Sequence, residues 1–130
     1  MQITRQSEYA IKTLIELCKV PADQLIQSRL IAENQELPVR FLNKIIQTLV
    51  RAGLIETRRG MGGGIRLAVS PNSITVADII TIIEGSIVLN PCLADNYHCQ
   101  TQSTCRLHQT LERAQTALRA ELEKETLADL

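Results

Sequence analysis

Apolar residues recur with the period of a helix at both ends of the chain and with the period of a strand in its middle. From Thr4 to Lys19, Tyr9, Ile11, Leu14, Ile15 and Cys18 predict one helix with a buried face. Pro21 ends it. Cys18 lies on that apolar face, where a buried and inert thiol is expected rather than a ligand. Ser28 then suits the cap of a short helix carrying Leu30, Ile31 and Ala32. "NQEL" reads as a polar turn closed by Leu37, and Pro38 suits the first turn of a new helix. That helix gathers Phe41, Leu42, Ile45, Ile46, Leu49 and Val50 on one face and is stopped by Gly53. Short helix, tight turn and longer helix make a helix-turn-helix.

The period changes after Gly53. "LIETR" and "IRLAV" read as short strands joined by "RGMGGG", where glycines occupy positions 60 and 62 to 64. A hairpin directly after a helix-turn-helix is a wing. Thr75, with Asp78 three residues on, suits a capping box that opens a helix from Val76 to Glu84, stopped by Gly85. An aperiodic loop follows. From about Ser103 to the end, Leu107, Leu111, Ala114, Leu118 and Leu122 form a stripe on a long helix with charged flanks. The expected fold is mainly α with a small β-hairpin wing. A winged helix-turn-helix domain spans 1–85, a cysteine-rich cluster-binding loop 86–102 and a C-terminal dimerisation helix 103–130.

Composition adds two constraints. Only Tyr9, Phe41 and Tyr97 are aromatic, so the core must be aliphatic. No run of 18 apolar residues and no leader pattern appears, which predicts a cytoplasmic protein without a membrane partner. In that compartment a cysteine cluster binds metal or does redox work more often than it forms disulfides.

The net charge of zero hides an asymmetry. Pro38 to Arg66 holds six basic residues (Arg40, Lys44, Arg51, Arg58, Arg59, Arg66) and one acid, Glu56. A basic stripe of this kind is the footprint of a polyanion. Opposite the apolar face of the second helix of the motif lie Val39, Arg40, Asn43, Lys44 and Gln47. Arg reads guanine, Asn and Gln read adenine, and Lys holds backbone phosphates. A plain solvated face is the ordinary alternative for a lone helix. It loses ground here because Arg58 and Arg59, beside Gly60, stand at the neck of the wing, from which arginines enter a minor groove. Ser28 completes the candidate DNA contacts. The glycine loop does not suit a nucleotide phosphate, because it joins two strands and lacks the accompanying Lys. No paired acid and base or cofactor motif suggests an enzyme.

The loop "PCLADNYHCQTQSTCRLH" concentrates three of the four cysteines and both histidines. Its spacing is Cys92-x6-Cys99-x5-Cys105-x2-His108. Structural zinc sites pair their ligands as C-x2–4-C knuckles, which are absent here. A thiol switch needs only two cysteines. Cysteines spread along a loop suit a larger object such as an iron–sulfur cluster, with His as an occasional ligand. For the fourth ligand, His108 lies one helical turn beyond Cys105. Glu8, from the first helix of this chain or of a dimer partner, is the alternative. His98, beside Cys99, points elsewhere. A zinc-binding or thiol-switch DNA-binding regulator without a cluster remains the alternative reading of the whole chain.

Together, "TRQSEYAIKTLIEL", "LNKIIQTLVRAGLIETRRGMGGGIRLA", "ITVADIITIIEG", the three-cysteine loop and the closing "TLADL" resemble the Rrf-type winged-helix transcription regulators of bacteria. This group includes IscR, NsrR and RirA. The resemblance implies a homodimer joined through the C-terminal helix on a near-palindromic operator. It implies that the helix after Pro38 reads the major groove and that Arg59 enters the minor groove. It implies an iron–sulfur cluster on Cys92, Cys99 and Cys105. The IscR-like branch holds a 2Fe–2S cluster with a His that matches His108. The NsrR-like branch holds a 4Fe–4S cluster with an acidic ligand from the other subunit's first helix, which Glu8 matches. The first cysteine gap is six residues here, where close relatives often have five.

Overall fold

The computed structural model describes residues 2–130. Its elements are α1 (Arg5–Cys18), α2 (Ser28–Asn34), α3 (Val39–Arg51), β1 (Ile55–Arg58), β2 (Gly64–Leu67), α4 (Val76–Glu84) and α5 (Arg106–Glu123). Short 3-10 turns lie at Pro71–Ser73, Pro91–Leu93 and Leu127–Asp129. This is the expected winged helix-turn-helix followed by a loop and a long helix.

The core is aliphatic. Ala10, Leu14 and Leu17 of α1 meet Ile31 and Ala32 of α2 and Leu42, Ile45, Ile46 and Leu49 of α3. Leu54, Ile55 and Ile65 bring the base of the wing into the same cluster, and Ile79 brings α4. Tyr9 and Phe41 close one side edge to face, with ring centroids 5.6 Å apart. The apolar stripe expected on α1 needs correction. Ser7, Ala10, Thr13, Leu14 and Leu17 are the buried positions, while Tyr9, Ile11, Ile15 and Cys18 pack only partly against the core. Because α1 has α3, α4 and β2 around it, small residues mark its closest approaches and larger ones fill the flanks. Both buried hydroxyls are satisfied. Thr13 Oγ1 donates to the Tyr9 carbonyl at 2.7 Å, and Ser7 Oγ donates to Glu84 Oε1 at 2.6 Å.

The expected turn chemistry holds in most places. Gly53 takes φ +79 after α3, and Thr75 and Asp78 form a complete capping box at α4. Ser28 does not cap α2. Gln27 stands at the cap without a side-chain hydrogen bond, and Ser28 is the first helical residue. Pro38 likewise stands at the cap of α3 rather than inside it. β1 and β2 pair antiparallel, with Glu56 opposite Arg66 and Arg58 opposite Gly64. Ile26 adds a bridge to Ile65 through two backbone hydrogen bonds of 2.9 and 2.8 Å. The approach is so close that a Cβ on Gly64 would stand 2.5 Å from the Ile26 carbonyl oxygen.

The last helix is shorter than its sequence stripe suggests. It begins at Arg106 and ends at Glu123, after which the chain turns back. Thr126 bridges Thr75, Leu127 N donates to the Ile74 carbonyl at 2.8 Å, and Leu127 is buried in the main core. The half-buried stripe of α5 is His108, Leu111, Gln115, Leu118 and Leu122, so the expected Leu107 and Ala114 face outward instead. Leu118 and Leu122 cover a second small cluster of Ala77, Ile80 and Ile87.

Glu84, the last residue of α4, binds the start of α1. Its carboxylate accepts from the Thr4 amide at 2.9 Å, from the Thr4 hydroxyl and from Ser7 Oγ. An acid there also favours the positive end of the helix dipole. The Ser7 hydroxyl, then Thr4, holds the Glu84 carboxyl below its ordinary value of 4.5. A lowered folded value contributes stability that is present above 4.5 and lost as pH falls through the folded value. Thermal unfolding followed from neutral pH down to pH 3 is expected to show an acid loss that Glu84→Gln reduces. Leu42→Ala, at a fully buried site, is expected to cost about 2–5 kcal/mol in urea unfolding.

Candidate nucleic-acid interface and cysteine loop

Helix α3 divides cleanly. Leu42, Ile45, Ile46 and Leu49 are buried, and Val39, Arg40, Asn43, Lys44 and Gln47 are all exposed on the other side. The core therefore fixes the helix and leaves these five expected reading residues free. Val39 is 42% exposed, an apolar group available to a thymine methyl. Pro38 gives α3 no side-chain cap, so the Val39 and Arg40 amides are left to solvent or a phosphate oxygen, while the Phe41 amide donates to the Pro38 carbonyl at 3.1 Å. Ser28, also an expected contact, is half-buried at the start of α2.

The wing supplies further positive charge. Arg66 pairs with Glu56 across the strands at 2.9 Å, which neutralises the one acid of the stretch. Among the described residues, Arg40, Lys44, Arg51, Arg58 and Arg59 form no ion pair. Arg58 ends β1, and Arg59 and Gly60 follow it, all exposed at the hairpin neck. Five unpaired cations on two adjacent elements are what a polyphosphate backbone selects.

The cysteine loop leaves α4 at Gly85 and returns at Cys105. All four cysteines are free thiols. Cys105 caps α5, accepting from the His108 amide at 3.4 Å. The His108 ring reaches back across the loop, its Nδ1 3.4 Å from Cys92 Sγ. Asn90 Nδ2 donates to the same sulfur at 3.1 Å, and Gln102 Nε2 lies 3.5 Å from His108 Nε2. Of the three expected cysteines, Cys92 thus meets the His108 ring, while Cys105 meets only the His108 backbone amide. Cys99 lies exposed, its sulfur 3.4 Å from Thr101 Oγ1. Glu8 is exposed on α1 and held by Lys12 at 2.7 Å. His98 lines an open cleft of about 440 Å³ together with Cys92, Tyr97, His108 and Glu112.

The donor set, three free thiols and an imidazole beside an open cleft, fits the chemistry of a thiolate-held cluster. The placement is open: among the described residues no three His, Cys, Asp or Glu side chains stand close enough to share one metal ion. Cys99 is the most exposed of the three cysteines. Sequence reasoning missed three polar neighbours, Asn90, Gln102 and Gln115. Gln115 Oε1 accepts from the Leu89 amide at 2.8 Å and pins the loop to α5. Its signal was present, because Gln115 is the polar member of the inward stripe 108, 111, 115, 118 and 122. Among the described residues, no helix is long and apolar enough to cross a membrane.

A helix-turn-helix with a basic wing, ahead of a free-thiol loop and a long helix, defines a DNA-binding regulator with a cysteine-bearing appendage. Comparison with known proteins narrows the class. Residues 3–130 match the model of the Rrf2 family, described as iron-dependent transcriptional regulators. The transcriptional regulator NsrR of Halalkalibacterium halodurans is 34% identical over all of this chain and 90% of its own length. Two solved structures share the fold over 99% of this chain. The global cysteine regulator CymR of B. subtilis has a TM-score of 0.80, with 27% identity and 95% of its chain covered. IscR of T. potens has a TM-score of 0.76, with 26% identity and 85% of its chain covered. The chain belongs to the Rrf2 family of transcription regulators and is not an enzyme.

Cys99 and Cys18 differ in how readily they ionise. Hydrogen bonding from Thr101 holds the exposed Cys99 below the usual thiol range, whereas burial pushes Cys18 up. Timed iodoacetamide labelling of the metal-free protein, read by peptide mass spectrometry, is expected to modify Cys99 first and Cys18 last. Equal rates would contradict this order.

Proposed function

We propose that this regulator acts in the cytoplasm as a homodimer on double-stranded operator DNA, with affinity set by an iron–sulfur cluster held in its cysteine loop. The observation that carries the reading is the free Cys92 sulfur lying 3.4 Å from the His108 ring, with the free Cys105 at the cap of α5 one helical turn before His108. Cys92, Cys99 and Cys105 are the thiolate ligands. The fourth is His108 within the chain, or Glu8 from a second copy, corresponding to a 2Fe–2S or a 4Fe–4S cluster. When bound, such a group would supply a centre that reacts with nitric oxide or oxygen and that is lost when iron is short.

The chain's own residues do the rest. Val39, Arg40, Asn43, Lys44 and Gln47 enter the major groove, and Arg58, Arg59 and Gly60 bring the wing to the minor groove. Ser28 meets the backbone at the start of α2. The outward residues Leu107, 64% exposed, and Ala114 give α5 an apolar strip for a second copy, matching the two-fold symmetry of operators. The loop spans the joint between the two units. At one end Glu84 grips α1 just before Gly85, and at the other Gln115 pins Leu89 to α5. An ordered loop therefore favours one placement of α5 relative to α4, and hence one spacing of the two α3 helices. A change in the loop shifts the population between spacings with different operator affinity.

Anaerobically purified protein is expected to be coloured and to contain iron and sulfide. Cys99→Ala is expected to lose both and remain a folded dimer. A colourless wild type with stoichiometric zinc, or without metal, overturns the cluster reading. Comparing His108→Ala with Glu8→Ala by iron content assigns the fourth ligand. In operator binding across salt concentrations, Arg59→Ala is expected to weaken affinity and reduce the salt slope by about 1.

One observation favours a second reading, a thiol switch without a cluster: Cys99 is exposed and its thiolate is favoured. Under that reading, metal-free protein changes operator affinity reversibly with peroxide and dithiothreitol, and Cys99→Ser abolishes the change.

A further inference from the structure

Met61 stands at the tip of the wing and is 103% exposed, touching nothing in the fold. Its setting is built by glycine. The Gly63 amide donates to the Gly60 carbonyl at 3.0 Å, closing a tight turn with Met61 and Gly62 at its centre. Gly60 and Gly62 take φ +94 and +74, and a Cβ on Gly63 would stand 2.2 Å from the Arg58 carbonyl oxygen. The turn therefore requires glycine at three positions but makes no such demand at position 61. A single exposed apolar residue is ordinarily of no consequence. This one is the foremost side chain of a hairpin tip that is otherwise bare backbone. The exposed Arg59 and Arg58, which form no ion pair among the described residues, precede it by two and three residues in the chain.

We infer that Met61 is an apolar wedge that the wing presses into the minor groove at one base step, partly unstacking it. The inference rests on the proposed approach of the wing to the minor groove and deepens it. The two arginines are drawn by the negative potential of the groove, and the glycine tip is thin enough to follow. The unbranched thioether is flexible and apolar, the kind of group that enters between bases and kinks a duplex. Unstacking is least costly at pyrimidine–purine steps, so Met61 adds a preference for a flexible step at a position where no hydrogen bond reads a base.

The test uses the full-length protein, isolated anaerobically, and a duplex selected by the wild type from random-sequence DNA. 2-Aminopurine is placed in turn at each step of the segment the wing faces. Wild type is expected to raise its fluorescence at one step. Met61→Ala is expected to abolish that rise and weaken binding roughly tenfold, as for losing part of one buried Met side chain. Met61→Leu is expected to retain both. The salt slope is expected to stay unchanged in both variants, unlike that of Arg59→Ala. Wild-type binding without a fluorescence rise, or Met61→Ala binding indistinguishable from wild type, overturns the wedge while leaving DNA binding intact. Failure of the wild type to select any duplex overturns the DNA reading, and the wedge with it.

Discussion

The structure depends on the burial of α1. Its inner positions Ser7, Ala10, Leu14 and Leu17 are close to fully buried, and the helix touches α3, α4, β2 and the C-terminal turn. Every functional segment is placed through these contacts. α3 presents its polar side outward because its apolar side is committed to α1 and α2. The wing is seated because Ile55 and Ile65 join the same cluster. α4 delivers the cysteine loop from a fixed point because Glu84 ends it on the N-terminus of α1. The small inner residues allow this crowding, since larger ones would push four partners apart.

Most of the fold was legible because local chemistry and global packing agree. The capping box at Thr75 and Asp78, the stop at Gly53 and the two short strands are local signals, and each appears where the pattern puts it. The misread faces of α1 and α5 share one cause. On α1 and α5 the large apolar residues drew attention, but burial follows geometry rather than size. Ala10 and Ser7 are deeper than Tyr9 or Ile15, and Gln115 faces inward where Leu107 does not. The return of the chain at Thr126 and Leu127 was not legible, because it depends on pairing with Ile74 and Thr75, some fifty residues away in sequence. The same holds for Glu84, whose partners Thr4 and Ser7 lie at the other end of the domain.

The cysteine loop was legible as chemistry and less so as geometry. The cysteine spacing singled out candidate donors, and helical periodicity placed His108 one turn beyond Cys105. Spacing did not reveal that the His108 ring would lie against Cys92, that Asn90 would donate to the same sulfur or that Cys99 would sit outermost. Those contacts come from the 3-10 turn at Pro91–Leu93 folding back on α5. The result is a loop in which Cys92 lies against the His108 ring, Cys105 caps α5 and Cys99 is exposed to solvent.

The bridge between Ile26 and Ile65 extends the meaning of the wing. The segment entering α2 meets β2 through this single bridge, which ties the two-stranded hairpin directly to the helix-turn-helix. At Gly64 the two backbones are too close for any side chain to intervene. The hairpin, the first helix of the motif and α3 are consequently packed into one unit. In the proposed DNA complex that unit meets its half-site as a whole, and adjustment to an operator of different length or curvature falls to the double helix or to the angle between two copies.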